Sequence, residues 1–183
     1  MVVKEAGFAD GSIYAYLENK GSKEIAITPG FVAYDASGAK LDENDTTTSS
    51  AFYLLPPGST TFVATSVNDQ SVTKVEAKPT VADSAEIPKH GPGTLEVTGV
   101  ELSDTTAHIS IKNTYQQDVS DAAIHLVCKD DAGKLAAIMP EDKFDAPKGG
   151  TAKVDTPVGD NNGKGYKGCE AYPYVVAKTT FSG

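Results

Sequence analysis

The sequence repeats itself in order, and that most limits what the chain can fold into. Residues 31–38 lie over 126–133, with Val32/Val127, Asp35/Asp130 and Gly38/Gly133 coinciding at an offset of 95. Residues 55–63 lie over 146–154, where Pro56/Pro147, Gly58/Gly149, Thr60/Thr151 and Val63/Val154 coincide at an offset of 91. Residues 75–81 lie over 169–175 at an offset of 94, and Asn19 and Asn113 share that offset. Matches that keep one order with small insertions point to a duplicated unit. Between the copies, Ser84-Ala85-Glu86-Ile87-Pro88-Lys89-His90-Gly91-Pro92-Gly93 holds two prolines and two glycines. Pro removes ladder donors and Gly adds freedom, so this stretch reads as a linker. The expected organisation is a repeat over 1–88, a Pro/Gly linker over 89–93 and a second repeat over 94–183.

Within each copy the hydrophobic period is two. Ile13, Ala15 and Leu17 alternate with Tyr14, Tyr16 and Glu18, and Ala107, Ile109 and Ile111 alternate with His108, Ser110 and Lys112. Alternation of this kind marks half-buried strands. Phe31/Ala33, Leu126/Cys128, Val75/Ala77 and Cys169/Ala171 continue it. Turn signals fall between, at Asn19-Lys20-Gly21-Ser22, Ala36-Ser37-Gly38, Pro56-Pro57-Gly58 and Asp160-Asn161-Asn162-Gly163. The one helical candidate, Ala122-Ala123-Ile124-His125, runs straight into the strand-like Leu126-Val127-Cys128. Some six or seven short strands in roughly 90 residues predict an antiparallel sandwich of two sheets.

Charge narrows the partners. The formal net charge is −9, and all 16 basic residues are lysine. Phosphate recognition uses clustered Lys/Arg and usually arginine forks, so nucleic acid and anionic membrane surfaces are excluded as partners. No window of about 18 uninterrupted apolar residues predicts a membrane span. The opening Met1-Val2-Val3-Lys4-Glu5 lacks the basic and apolar regions of a secretory leader, so a leader is expected to have been removed.

An extended strand, a turn, then Phe31-x-x-Tyr34-Asp35-x-x-Gly38, then a Pro-Gly turn and a Thr-rich strand resembles bacterial extracellular immunoglobulin-like modules, the FxLYD-like group of secreted lipoproteins. The second repeat keeps Asp130 and Gly133 of the pattern. The resemblance implies two tandem immunoglobulin-like antiparallel β-sandwich domains at a cell surface or in the extracellular space. It brings no catalytic residues.

Cys128 and Cys169 both fall on the inward phase, aligned with Ala33 and Val75. Two readings stand: one disulfide across a 41-residue separation, which a secreted context favours, or two buried free thiols. A zinc site is excluded by their spacing and the lack of spaced histidines. His90 sits in the linker, and His108 and His125 lie on outward phases, so all three are expected in solvent. The acidic runs Asp42-Glu43-Asn44-Asp45 and Asp160-Asn161-Asn162-Gly163 fit turn chemistry better than a calcium loop, and no cofactor or metal is expected. The outward tyrosines Tyr14, Tyr16, Tyr34 and Tyr53, replaced by His108, Ser110, Lys129 and Phe144 in the second repeat, are the candidate binding residues. Tyrosine combines apolar area with a polar tip. The resulting expectation is a non-enzymatic binding or spacer module for a protein or glycan partner. The alternative is an accessory domain of a cell-wall or glycan-active enzyme.

Overall fold

The computed structural model describes residues 1–45, 53–81, 88–158, 166–176 and 178–183. These residues form antiparallel strands and no helix. The chain divides into two compact units, Met1–Ile87 and Pro88–Gly183.

In the first unit, β1 (Val2–Ala9), β2 (Ser12–Glu18) and β7 (Thr60–Ser66) form one sheet with β2 in the middle. Opposite runs a broken central strand. Its first half, β3 (Ile25–Thr28), pairs with β6 (Tyr53–Leu55) and β9 (Thr80–Val81). Its second half, β4 (Gly30–Tyr34), pairs with β5 (Lys40–Asp45) and β8 (Lys74–Ala77). The break falls at Pro29, which has no N–H to give a ladder. Ile13, Ala15, Leu17, Ile27, Phe31, Leu55 and Val63 are all buried.

The second unit repeats this pairing. Strands β10 (Leu95–Leu102), β11 (Thr106–Asn113) and β15 (Thr151–Pro157) form a sheet with β11 in the middle. The central strand of the other sheet is the unbroken β12 (Asp118–Lys129). It takes β13 (Leu135–Ile138) and β14 (Asp142–Ala146) on one path and β16 (Gly168–Tyr174) and β17 (Thr180–Ser182) off it. Asp121, with a φ of 57°, lies at a register irregularity between the residues of β12 that pair with β17 and those that pair with β16. Ile109 and Ile111 of β11 share one buried cluster with Ile124, Leu126 and Cys128 of β12, so two sheets pack face to face as in a β-sandwich.

The coincidences between repeats have structural causes. Asp35 and Asp130 open the hairpins β4–β5 and β12–β13. Asp35 O accepts from Gly38 N at 3.1 Å and Asp130 O from Gly133 N at 2.9 Å. Gly38 and Gly133 sit at φ 82° and 77°, which L side chains rarely adopt. Asn19 and Asn113 are both buried and do the same job. Asn19 Nδ2 donates to Lys23 O, Leu55 O and Pro56 O at 2.8, 2.9 and 3.3 Å. Asn113 Nδ2 donates to Gln117 O, Ala146 O and Pro147 O at 2.9, 2.9 and 3.2 Å. Each Oδ1 accepts a backbone N–H two residues on, from Gly21 and Tyr115. One asparagine thus clasps the loop after β2 or β11 to the Pro-Gly turn before β7 or β15.

The strands expected to be half-buried differ from expectation at the central strand. Phe31, Val32 and Ala33 are all buried, and so is every residue from 122 to 128. A central strand with both faces covered shows no useful alternation. Residues 88–93 pack into the second unit. Gly91 N donates to Gln117 Oε1 at 2.8 Å, and the His90 ring lies 5.4 Å from Tyr115 and 5.0 Å from Phe181. His90 is therefore held among rings rather than loose in solvent. Of the two acidic runs, 42–45 continues β5, while 160–163 lies outside the described residues.

Candidate functional site

The tyrosines predicted to form a binding face separate. Tyr14 and Tyr16 lie on the face of β2 opposite Ile13, Ala15 and Leu17, but that face is not a solvated one. Tyr14 is only 7% exposed and stacks on the fully buried Phe62 at 5.7 Å. Tyr16 is half-buried, edge-on to Phe62 at 5.0 Å. The Tyr14 hydroxyl donates to Glu5 Oε1 at 2.8 Å. Burial, then the Glu5 hydrogen bond and charge, push its pKa above the usual tyrosine value. Gly7, paired with Tyr14 across the ladder, leaves room for this ring, because a Cβ there would lie 2.9 Å from the hydroxyl. Tyr14 is thus a packing residue, which corrects the expectation of an exposed strand position. Tyr53 is also core, at 4% exposed. Both fail for one reason: period two tells which face a residue is on, not whether that face meets water.

Tyr34 stands apart on β4 and is half-buried. Its hydroxyl donates to Glu76 Oε2 at 3.2 Å, and Lys74 Nζ sits 5.0 Å above its ring. Lys74 Nζ also donates to Glu76 Oε1 at 2.6 Å, and Lys78 Nζ comes within 4.0 Å of Glu76 Oε2. Glu76 is therefore held below the usual carboxylate range, first by Lys74 and then by Tyr34.

The second unit also sets a lysine and a tyrosine on one glutamate. Glu170 aligns with Glu76. Its Oε1 accepts from Lys129 Nζ at 2.6 Å and its Oε2 from Tyr172 Oη at 2.7 Å. Burial pushes Glu170 up, but the bonds from Lys129 and Tyr172 outweigh it and hold the carboxylate low. Lys129 stands where Tyr34 is and Tyr172 where Lys78 is, while Lys74, the lysine that hydrogen-bonds Glu76, is matched by Gly168, so the two glutamates draw their tyrosine and lysine from different positions. The alignment already set Glu76 over Glu170. That match was a usable signal, but neighbours on other strands were needed to read it.

The histidines divide as well. His108 is exposed, with Nδ1 2.8 Å from Asp155 Oδ1. His125 is buried, not solvated as expected, and stacks on Tyr174 at 4.9 Å. Burial pushes its pKa down to about 4, so it is neutral at pH 7. The Tyr174 hydroxyl donates to Glu141. Among the described residues, no three His, Cys, Asp or Glu side chains are grouped to hold a metal ion.

Cys128 and Cys169 are joined by a disulfide. They face each other directly across β12 and β16, with Cα atoms 4.1 Å apart. The aligned residues Ala33 and Val75 face each other across β4 and β8 in the same way. No protein-family model matches the chain, and no curated protein matches it as a relative.

Proposed function

We propose that the chain is a non-enzymatic binding or spacer module of a bacterial surface or secreted protein, built as two tandem immunoglobulin-like β-sandwiches. The observation that carries this reading is one side-chain constellation kept on two copies of one scaffold. In each copy a glutamate holds a tyrosine hydroxyl and a lysine on the strand pair beside the D-x-x-G hairpin. Tyrosine offers apolar area and a polar tip at low ordering cost, which suits recognition of a protein or glycan. The disulfide favours an oxidising compartment, in line with an extracellular or cell-surface location. The immunoglobulin likeness rests on the strand pairing and the sandwich. The disulfide does not contribute to it, because this bond joins neighbours within one sheet, whereas the immunoglobulin bond joins two sheets.

A binding screen of the full chain against glycans and extracellular proteins tests the reading. Hits are then measured again with Tyr34→Ala and Tyr172→Ala. Each substitution is expected to weaken binding about tenfold, in the range of one lost interface anchor, with little change in melting. Turnover of peptidoglycan or a glycan, abolished by a single carboxylate substitution, would overturn it in favour of an accessory enzymatic domain.

A further inference from the structure

We propose that Cys169 is an exchange site for small thiols, and that the second unit stays folded when the Cys128–Cys169 bond opens. Two observations carry this. First, the bond is set into a ladder that does not depend on it. Strands β12 and β16 pair continuously from Ala123↔Tyr174 to Lys129↔Gly168, and Lys167 N donates to Lys129 O just beyond, at 2.9 Å. The first unit holds the matching pair Ala33↔Val75 in a ladder of the same sense with no sulfur at all. Second, the two cysteines are unequal as residues. Cys128 is 0% exposed, whereas Cys169 is only partly buried, packed at the border of the core cluster.

Thiol–disulfide exchange follows access, because the thiolate must approach the sulfur it attacks. A small thiol in its thiolate form attacks Cys169 Sγ. A bond forms between the two sulfurs, the Cys128–Cys169 bond breaks, and Cys128 leaves as a thiolate that takes up a proton. A second thiol then attacks the sulfur of the first in the mixed disulfide. Cys169 leaves as a thiolate and is protonated, and the two small thiols depart as their disulfide, having given two electrons to the protein. With a monothiol the mixed disulfide on Cys169 is the species to trap.

The full chain is incubated with excess glutathione, quenched in acid, alkylated and mapped by mass spectrometry. The glutathione adduct is expected on the Cys169 peptide about tenfold or more over the Cys128 peptide, with Cys128 alkylated. An adduct chiefly on Cys128, or no adduct, would overturn the assignment. In parallel, the near-ultraviolet circular dichroism and melting of the dithiothreitol-reduced chain are recorded, together with those of the double variant Cys128→Ala, Cys169→Val. That variant places the first unit's own pair in the second. Both samples are expected to melt cooperatively, and the variant to take no glutathione. Loss of cooperative melting on reduction would show that the bond is required for the fold and would sink the proposal.

Discussion

Strands β2 and β11 hold the same place in the two units, yet the outward face of β2 is more covered than that of β11. Their inward residues agree: Ile13, Ala15 and Leu17 in β2, and Ala107, Ile109 and Ile111 in β11, are all fully buried. Their outward residues do not. In β2 they are Tyr14 and Tyr16, packed on Phe62. In β11 they are His108, paired with Asp155, and Ser110, which accepts from Lys153 Nζ at 2.6 Å. The edge strands show the same contrast. In β7, Thr61, Phe62 and Val63 are buried in succession, whereas β15 alternates strictly and places Lys153 and Asp155 outside. The core face is dictated by the fold and the hydrogen-bond clasp, so it survives duplication. The second face is free to become an aromatic layer in one copy and a charged surface in the other. The disulfide belongs to the same class of difference, an addition at a register position that works without it.

Moving the disulfide is the strongest test of the equivalence between units. Replacing Cys128 and Cys169 by the first unit's alanine and valine is expected to cost the second unit about 4 kcal/mol, by the chain-entropy account of a loop of this length. The double substitution Ala33→Cys, Val75→Cys is expected to form a bond and stabilise the first unit by up to the same amount. Denaturant unfolding followed by peptide-resolved hydrogen exchange separates the units. Failure of the two introduced cysteines to pair under oxidising conditions would show that the two ladders are not equivalent.

The asparagine clasps come next. Asn19→Ala and Asn113→Ala each strand buried carbonyls that had three donor contacts, so each is expected to cost its own unit roughly 3 kcal/mol. Near-equal losses in urea unfolding support one scaffold. A large loss in one unit and none in the other would refute it.

Acid separates the units, because all three histidines lie in the second. His125 has a folded pKa of about 4, below its unfolded value of about 6.5. The unfolded chain therefore binds the extra proton first. The contribution of neutral His125 is fully present above about pH 6.5 and is lost as pH falls towards 4, an effect of roughly 3 kcal/mol. The second unit is expected to lose stability over that window, and His125→Gln to flatten the slope. An unchanged slope in the variant would show that His125 is not the group responsible.

The smallest contrast is between the outward residues themselves. Tyr14→Ala is expected to cost the first unit about 2 kcal/mol, as a buried ring leaving a gap does. His108→Ala, at the equivalent exposed place, is expected to change melting of the second unit little, because a solvent-exposed pair contributes little. Equal effects would mean that the two faces are alike after all.

The duplication, the inward phase of β2 and β11, and the two D-x-x-G hairpins could all be read along the chain. Each depends on residues close in sequence or on a pattern copied whole. The fate of the outward faces could not. A strand's period of two assigns Tyr14 and His108 to the same side, and only packing from distant segments decides that one is buried and the other wet. The same holds for His125 and for the central strands 31–33 and 122–128, where both faces are covered and alternation carries no information. Asn19 and Asn113 were visible as a coincidence, but of the carbonyls each one holds, those on the turn before β7 or β15 lie more than thirty residues away. That Glu76 and Glu170 each hold a tyrosine and a lysine, drawn from different positions, is invisible to position-by-position alignment. It is a matter of contacts between neighbouring strands, and contact between strands is a property of the folded chain alone.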